Sequence, residues 1–64
     1  MKVSPDFPAQ LKQARKRKKF TQEYTAELLD ISTRWIQYLE SGNRTPGKKL
    51  MDKIYHLFPD FPKQ

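Results

Sequence analysis

Apolar residues recur at helical spacing in four stretches of the chain, each bounded by residues that favour caps or turns. In the first, Leu11, Ala14 and Arg15 lie at i, i+3 and i+4 and mark an inward stripe. Asp6 is suited to cap this helix, Pro8 is tolerated in its first turn, and the pattern fades near Lys18. Met1 to Phe7 reads as an extended arm ahead of a helical core over 8–58.

Thr21 caps a second helix, with Glu23 in the first turn, where the helix dipole favours negative charge. Ala26 and Leu29 supply its buried face. Asp30-Ile31-Ser32 is a turn, and Asp30 is one of the few non-glycine types that tolerates a left-handed backbone. Ser32 caps a third helix over Thr33 to Ser41, with Ile36 and Leu39 pointing inward and Gly42 as a left-handed C-cap. After the loop Asn43 to Gly47, a fourth helix runs from Lys48 to Phe58 on Leu50, Met51, Ile54, Leu57 and Phe58. Pro59 and Pro62 stop it, leaving a tail over 59–64. No segment alternates with strand period, so the expectation is a single all-α domain of four helices over 1–64.

Composition narrows what such a domain can do. A chain of 64 residues builds a core worth no more than about 3–5 kcal/mol, so small domains lean on good packing, a metal, disulfides or a partner. With no cysteine and one histidine, disulfides, thiolate zinc sites and a histidine cluster are excluded. No apolar run approaches the roughly 18–20 residues of a membrane span, and no signal-peptide pattern opens the chain. The expected location is the cytoplasm of a bacterial cell or phage-infected host, on the nucleoid. Thirteen Lys plus Arg against seven Asp plus Glu give a net charge of +6, which points to a polyanionic partner. Charge alone does not separate DNA from RNA or an acidic protein, or from simple solubility.

The pattern separates them. Residues 22 to 41 form an eight-residue helix, a three-residue turn and a second short helix, the spacing of a DNA-binding helix-turn-helix. The third helix is about 12–14 Å long and suits a major groove about 12 Å wide. With Ile36 and Leu39 inward, a 100° step puts Arg34, Gln37, Tyr38 and Ser41 on the outer side, with Thr33 at the N-terminal tip. Arginine pairs with guanine and glutamine with adenine through two bonds each, whereas a merely solvated face more often carries Lys and Glu.

Phe20-Thr21-Gln22-Glu23, Ala26-Glu27, Leu29, Ile31-Ser32, Ile36, Leu39-Glu40, Gly42 and Arg44-Thr45-Pro46 run without a gap from residue 20 to 46. This pattern resembles the phage-repressor and Cro-type (XRE-like) helix-turn-helix family, which implies a lambda-repressor-like all-α fold of four or five helices. The resemblance also implies roles. Thr33, Arg34, Gln37 and Tyr38 would contact bases. Gln22, Ser32, Asn43 and Arg44 would contact the DNA backbone, with Lys48 at the start of the fourth helix beside them. Arg15 and Glu40 would form a partly buried salt bridge.

The departures from the family pattern carry expectations of their own. Asp30 stands in place of the usual turn glycine. Thr25 stands where a buried Leu or Ile is usual and Leu28 where a polar residue is usual, so the apolar face of the second helix is expected to shift. Trp35 lies on the flank of the third helix, with packing against the second helix favoured over a sugar or phosphate contact. The family's fifth helix is shortened here to Pro59-Asp60-Phe61-Pro62. Leu57 and Phe58 would complete the core, while Phe61 is the candidate contact for a second subunit.

Lys12, Lys16, Arg17, Lys18 and Lys19 crowd the end of the first helix, either as a solvated face or beside phosphates. Lys48 and Lys49 oppose the dipole of the fourth helix, which phosphates would offset. His56 reads as a surface residue, and Glu23 and Glu27 as a solvated face. No catalytic set or phosphate-cradling glycine loop is present, so no enzymatic activity, cofactor, metal or small-molecule ligand is expected. The reading is a sequence-specific binder of double-stranded DNA, a transcriptional regulator of the repressor type from a phage, plasmid or mobile element. It would act as a homodimer on a pseudo-palindromic operator. The alternative is an antitoxin or protein-interaction adaptor of the same fold, with RNA binding supported by charge alone.

Overall fold

The computed structural model describes residues 6–62. Among them are four helices, α1 (Phe7–Arg17), α2 (Gln22–Leu29), α3 (Thr33–Ser41) and α4 (Lys48–Leu57), and no strand. Helix α3 packs against both α1 and α2, and α4 closes the other side against α2. The core is one cluster of Phe7, Leu11, Ala14, Ala26, Leu29, Ile36, Leu39, Ile54, Phe58 and Phe61. Every helix contributes to it, so the position of α3 depends on the whole interior.

Side chains set two of the helix starts. Thr21 Oγ1 accepts the Tyr24 N–H at 2.9 Å and Ser32 Oγ accepts the Trp35 N–H at 3.1 Å, each satisfying a donor that the helix itself cannot pair. Asp6 occupies the N-cap of α1 without a side-chain capping bond. Gly47 leads into α4 with no side chain to cap it.

The three helix ends around the helix-turn-helix share a device. Lys19 (φ 62°), Asp30 (φ 61°) and Gly42 (φ 86°) all sit in the left-handed region. After α1, the Phe20 N–H reaches Arg15 O at 3.0 Å and the Lys19 N–H reaches Lys16 O at 2.9 Å. After α2, the Ile31 N–H reaches Ala26 O at 2.9 Å and the Asp30 N–H reaches Glu27 O at 3.1 Å. Both are Schellman closures, in which a single left-handed residue turns the chain sharply and satisfies the last carbonyls. The tight α2–α3 corner that presents α3 is therefore built on Asp30, where an L-residue is strained but aspartate is among the least penalised.

Both ends of the domain differ from the sequence expectation. Of the arm expected over 1–7, residues 1–5 lie outside the described residues. Phe7 is no arm residue but the first residue of α1, and it is buried. Phe61, expected to face a second subunit, is also buried, at 4% exposure. Its ring meets Phe7 edge-on at 5.6 Å and Tyr55 at 6.2 Å. The reason lies in the chain reversal after α4: the Phe61 N–H bonds to Phe58 O at 2.9 Å, folding the ring back over the start of α1. The fourth helix ends at Leu57, with Phe58 as its C-cap and part of the core.

Helix α2 keeps its apolar face where Ala26 and Leu29 put it, without the expected shift. Thr25 is fully buried and Leu28 is 45% exposed. A buried threonine is tolerated here because its Oγ1 donates to Thr21 O at 2.9 Å, so the hydroxyl is not left unpaired.

Candidate nucleic-acid interface

Helix α3 is held from one flank by a charged latch. Arg15 of α1 donates through Nε to Glu40 Oε2 at 2.6 Å and through Nη2 to Glu40 Oε1 at 3.1 Å. Its remaining Nη1 donates to Phe20 O at 2.9 Å. Gln22 of α2 adds an Nε2 bond to Glu40 Oε1 at 3.1 Å. The two charged side chains are 10% and 3% exposed, so one carboxylate near the end of α3 ties together three helices. Two parallel bonds between a guanidinium and a carboxylate fix orientation as well as distance.

With that flank fixed, the outer face of α3 presents Arg34 and Gln37 exposed, with Thr33 and Tyr38 half-buried beside them. Thr33 and Gln37 share an open groove with Thr21, Gln22 and Glu23, with Arg15 also in its lining. The start of α2 and the first two turns of α3 therefore form one surface, and Gln22 meets both the latch and the groove.

Tyr38 differs from the outward placement that the helical angle alone suggests. Trp35 and Tyr38 meet edge-on at 6.0 Å. The guanidinium carbon of Arg44, in the loop beyond α3, lies 5.8 Å from the Trp35 ring centre and 5.6 Å from that of Tyr38. Trp35 also packs on the core. It is thus a bridge between the core and the loop. Neither the side chain that covers it nor the partial burial of Tyr38 follows from periodicity; the one signal in the sequence is two aromatics at i, i+3 on the same flank.

The remaining residues of interest are all exposed. Ser32 is exposed, its hydroxyl engaged in capping α3. Asn43 is exposed, and its backbone N–H bonds to Tyr38 O at 3.0 Å. Lys48 is exposed at the first position of α4, whose N-terminal end carries no side-chain cap. Lys12, Lys16, Arg17, Lys18 and Lys19 are all exposed along α1 and its C-terminal end. His56 is exposed on α4, with Nδ1 3.0 Å from Asp52 O. Among the described residues no group of acidic, histidine or cysteine side chains is placed to hold a metal, and no helix is long and apolar enough to cross a membrane.

A basic all-α domain whose second and third helices meet at a tight corner, with the third presenting a polar face, is a helix-turn-helix DNA-binding domain. The helix-turn-helix family profile matches residues 11–58. The chain belongs to this family, in its XRE/Cro/C1-type branch, and its class of function is DNA-binding transcription regulation. The match extends from the inward stripe of α1 to Phe58 and so takes in both partners of the latch and the whole of α3. Comparison with curated proteins and with solved structures returns no match.

Proposed function

We propose that the protein is a repressor of phage, plasmid or mobile-element type that recognises a specific DNA sequence by laying α3 in the major groove. The observation that carries this reading is the exposed pair Arg34 and Gln37 on a helix held by buried contacts on its other side. Thr33 at the tip and the Tyr38 hydroxyl would complete the base contacts. Backbone contacts would come from Gln22, Ser32, Asn43, Arg44 and Lys48. Gln22 suits this role because its bond to Glu40 uses only one of two N–H groups on the amide nitrogen.

One such module covers only about 600–1,000 Å² on DNA, so tight specific binding calls for two copies on a pseudo-palindromic operator. Phe61 has no part in that pairing, because its ring belongs to the protein's own core. The antitoxin or adaptor reading draws on the C-terminal aromatics and the basic first helix; Phe58 and Phe61 are buried in the core, which leaves it the exposed basic end of α1.

Selection of bound sequences from a random duplex pool tests the proposal. Enrichment of a symmetric motif is the expected result, and Arg34→Ala should then cost about 1–3 kcal/mol and relax preference at one position. If Arg34→Ala bound selected and random duplexes with the wild-type ratio of affinities, the assignment of α3 as the reading element would be wrong.

A further inference from the structure

Arg44 is exposed, yet it is not a free side chain. Its guanidinium lies over two rings at once, 5.8 Å from the centre of Trp35 and 5.6 Å from that of Tyr38. The rings are themselves set edge to face at 6.0 Å, and Trp35 is anchored by packing on the core. The loop backbone is tied to the same turn of α3, since the Asn43 N–H bonds to Tyr38 O at 3.0 Å. Backbone and side chain of the loop thus converge on a single turn of the reading helix.

Attraction to the rings consumes none of arginine's five N–H donors as conventional hydrogen bonds, so they stay available to grip a phosphate. A solvated arginine must lose its side-chain freedom when it binds, and one already held over a platform has lost much of it beforehand. Lysine has no planar face to stack and offers only a point charge in the same place.

We infer that Trp35 and Tyr38 are positioning residues for Arg44, holding its guanidinium beside the reading helix so that its N–H donors meet a DNA phosphate from a fixed place. This rests on the DNA-binding reading above. It gives Trp35 a role in binding without contact with DNA. It also divides Tyr38, whose ring serves the platform while only its hydroxyl is left to face a base.

The test uses fluorescence anisotropy with an end-labelled duplex of mixed sequence, titrated at several salt concentrations. Trp35→Leu keeps apolar packing and every charge but removes the larger ring of the platform, so binding should weaken about three- to tenfold, the cost of ordering one arginine side chain on binding. The salt dependence should stay unchanged, because the number of phosphates neutralised is unchanged. Arg44→Ala should weaken binding further and lower the salt slope by about one. Added to Arg44→Ala, Trp35→Leu should have no further effect, and Trp35→Phe should restore wild-type binding. Circular dichroism establishes that each variant is folded at the assay temperature. Should Trp35→Leu fail to fold, Arg44→Lys, at an exposed loop position, carries the test, with weakened binding at an unaltered slope expected.

Wild-type affinity for folded Trp35→Leu, or for Arg44→Lys, would overturn the inference, as would additive losses in the Trp35→Leu/Arg44→Ala double variant. NMR of the free protein reads the platform separately: the Arg44 side-chain protons should be shifted upfield by the rings, and the shift lost in Trp35→Leu. Absence of salt-dependent binding by the wild-type protein would remove the DNA-binding reading and this inference with it. A wild-type protein that binds beside a Trp35→Leu variant that binds equally well would remove the inference alone.

Discussion

Cutting the latch from either side should be far more damaging than removing it whole. In Arg15→Met, Glu40 keeps a carboxylate that is 3% exposed, with the single Gln22 bond in place of three. Stranding a charge at such a depth costs about 3–5 kcal/mol, as much as a core of this size supplies in total, about 3–5 kcal/mol. The variant should therefore be largely unfolded at room temperature. Glu40→Leu strands the guanidinium instead, but Arg15 keeps its bond to Phe20 O and is somewhat nearer to solvent. Its cost should fall at the lower end, about 3 kcal/mol. In the double variant Arg15→Met/Glu40→Leu no charge is stranded, and stability should return to within about 1 kcal/mol of wild type or exceed it. Urea unfolding followed by circular dichroism and by Trp35 fluorescence measures all four members of the cycle, with a stabilising osmolyte added equally to each so that the weak singles show a folded baseline. The expected coupling exceeds about 3 kcal/mol and is insensitive to salt, since buried pairs are little screened. Singles that each cost under about 1 kcal/mol and sum to the double, as exposed pairs do, would refute the argument.

Four further outcomes follow from the fold. Asp30→Gly relieves a left-handed L-residue and removes a negative charge from the end of α2, and should stabilise by about 1 kcal/mol, seen as a thermal midpoint about 4–8 °C higher. Lys19→Gly relieves the same backbone strain but loses a favourable charge at the end of α1, so its gain should be smaller; the reverse order would count against the strain argument. Thr25→Val should change stability by less than about 1 kcal/mol, because Thr21 O still accepts the Thr25 N–H at 3.0 Å; a larger loss in urea titrations would show that the hydroxyl bond matters more than its geometry suggests. Phe61→Ala should destabilise by about 3 kcal/mol even at low protein concentration, whereas an unchanged midpoint would return Phe61 to the surface.

The parts of the fold legible in the sequence are those that a few neighbouring residues decide. Thr21, Ser32 and Gly42 mark boundaries because a hydroxyl acceptor or a left-handed backbone is a local requirement. Ile36 and Leu39 are core by spacing alone. Phe61 is hidden because it lies beyond the last helix; Phe7 continues the Leu11 and Ala14 stripe at helical spacing but stands before Pro8, where the helix is expected to begin, and the two rings meet across the length of the chain. The apolar face of α2 does not shift toward Leu28, because Ala26 and Leu29 already fix it and Thr25 satisfies its own hydroxyl. Of the interface, Arg34 and Gln37 are visible from angle and chemistry. The stack on Arg44 is not, because periodicity carries no information about a loop side chain.

Helix α3 is constrained on two opposite flanks by cations of different character. On one side Arg15 is buried and paired with Glu40, and on the other Arg44 is exposed and held over Trp35 and Tyr38. A buried ion pair is a weak source of net stability compared with an apolar replacement, so the latch is poorly explained as a way of holding a marginal domain together. It is better explained by where it acts: Glu40 lies one residue beyond Leu39 near the end of α3, and its bonds fix the helix against both α1 and α2 in rotation as well as position. Base contacts are lost when the donor misses its groove edge by an ångström, and a helix packed only through Ile36 and Leu39 retains freedom to roll. The double variant Arg15→Met/Glu40→Leu therefore separates two effects that the single variants confound. If the latch serves position rather than stability, it should fold as well as wild type while its preference for a selected sequence over random duplex declines.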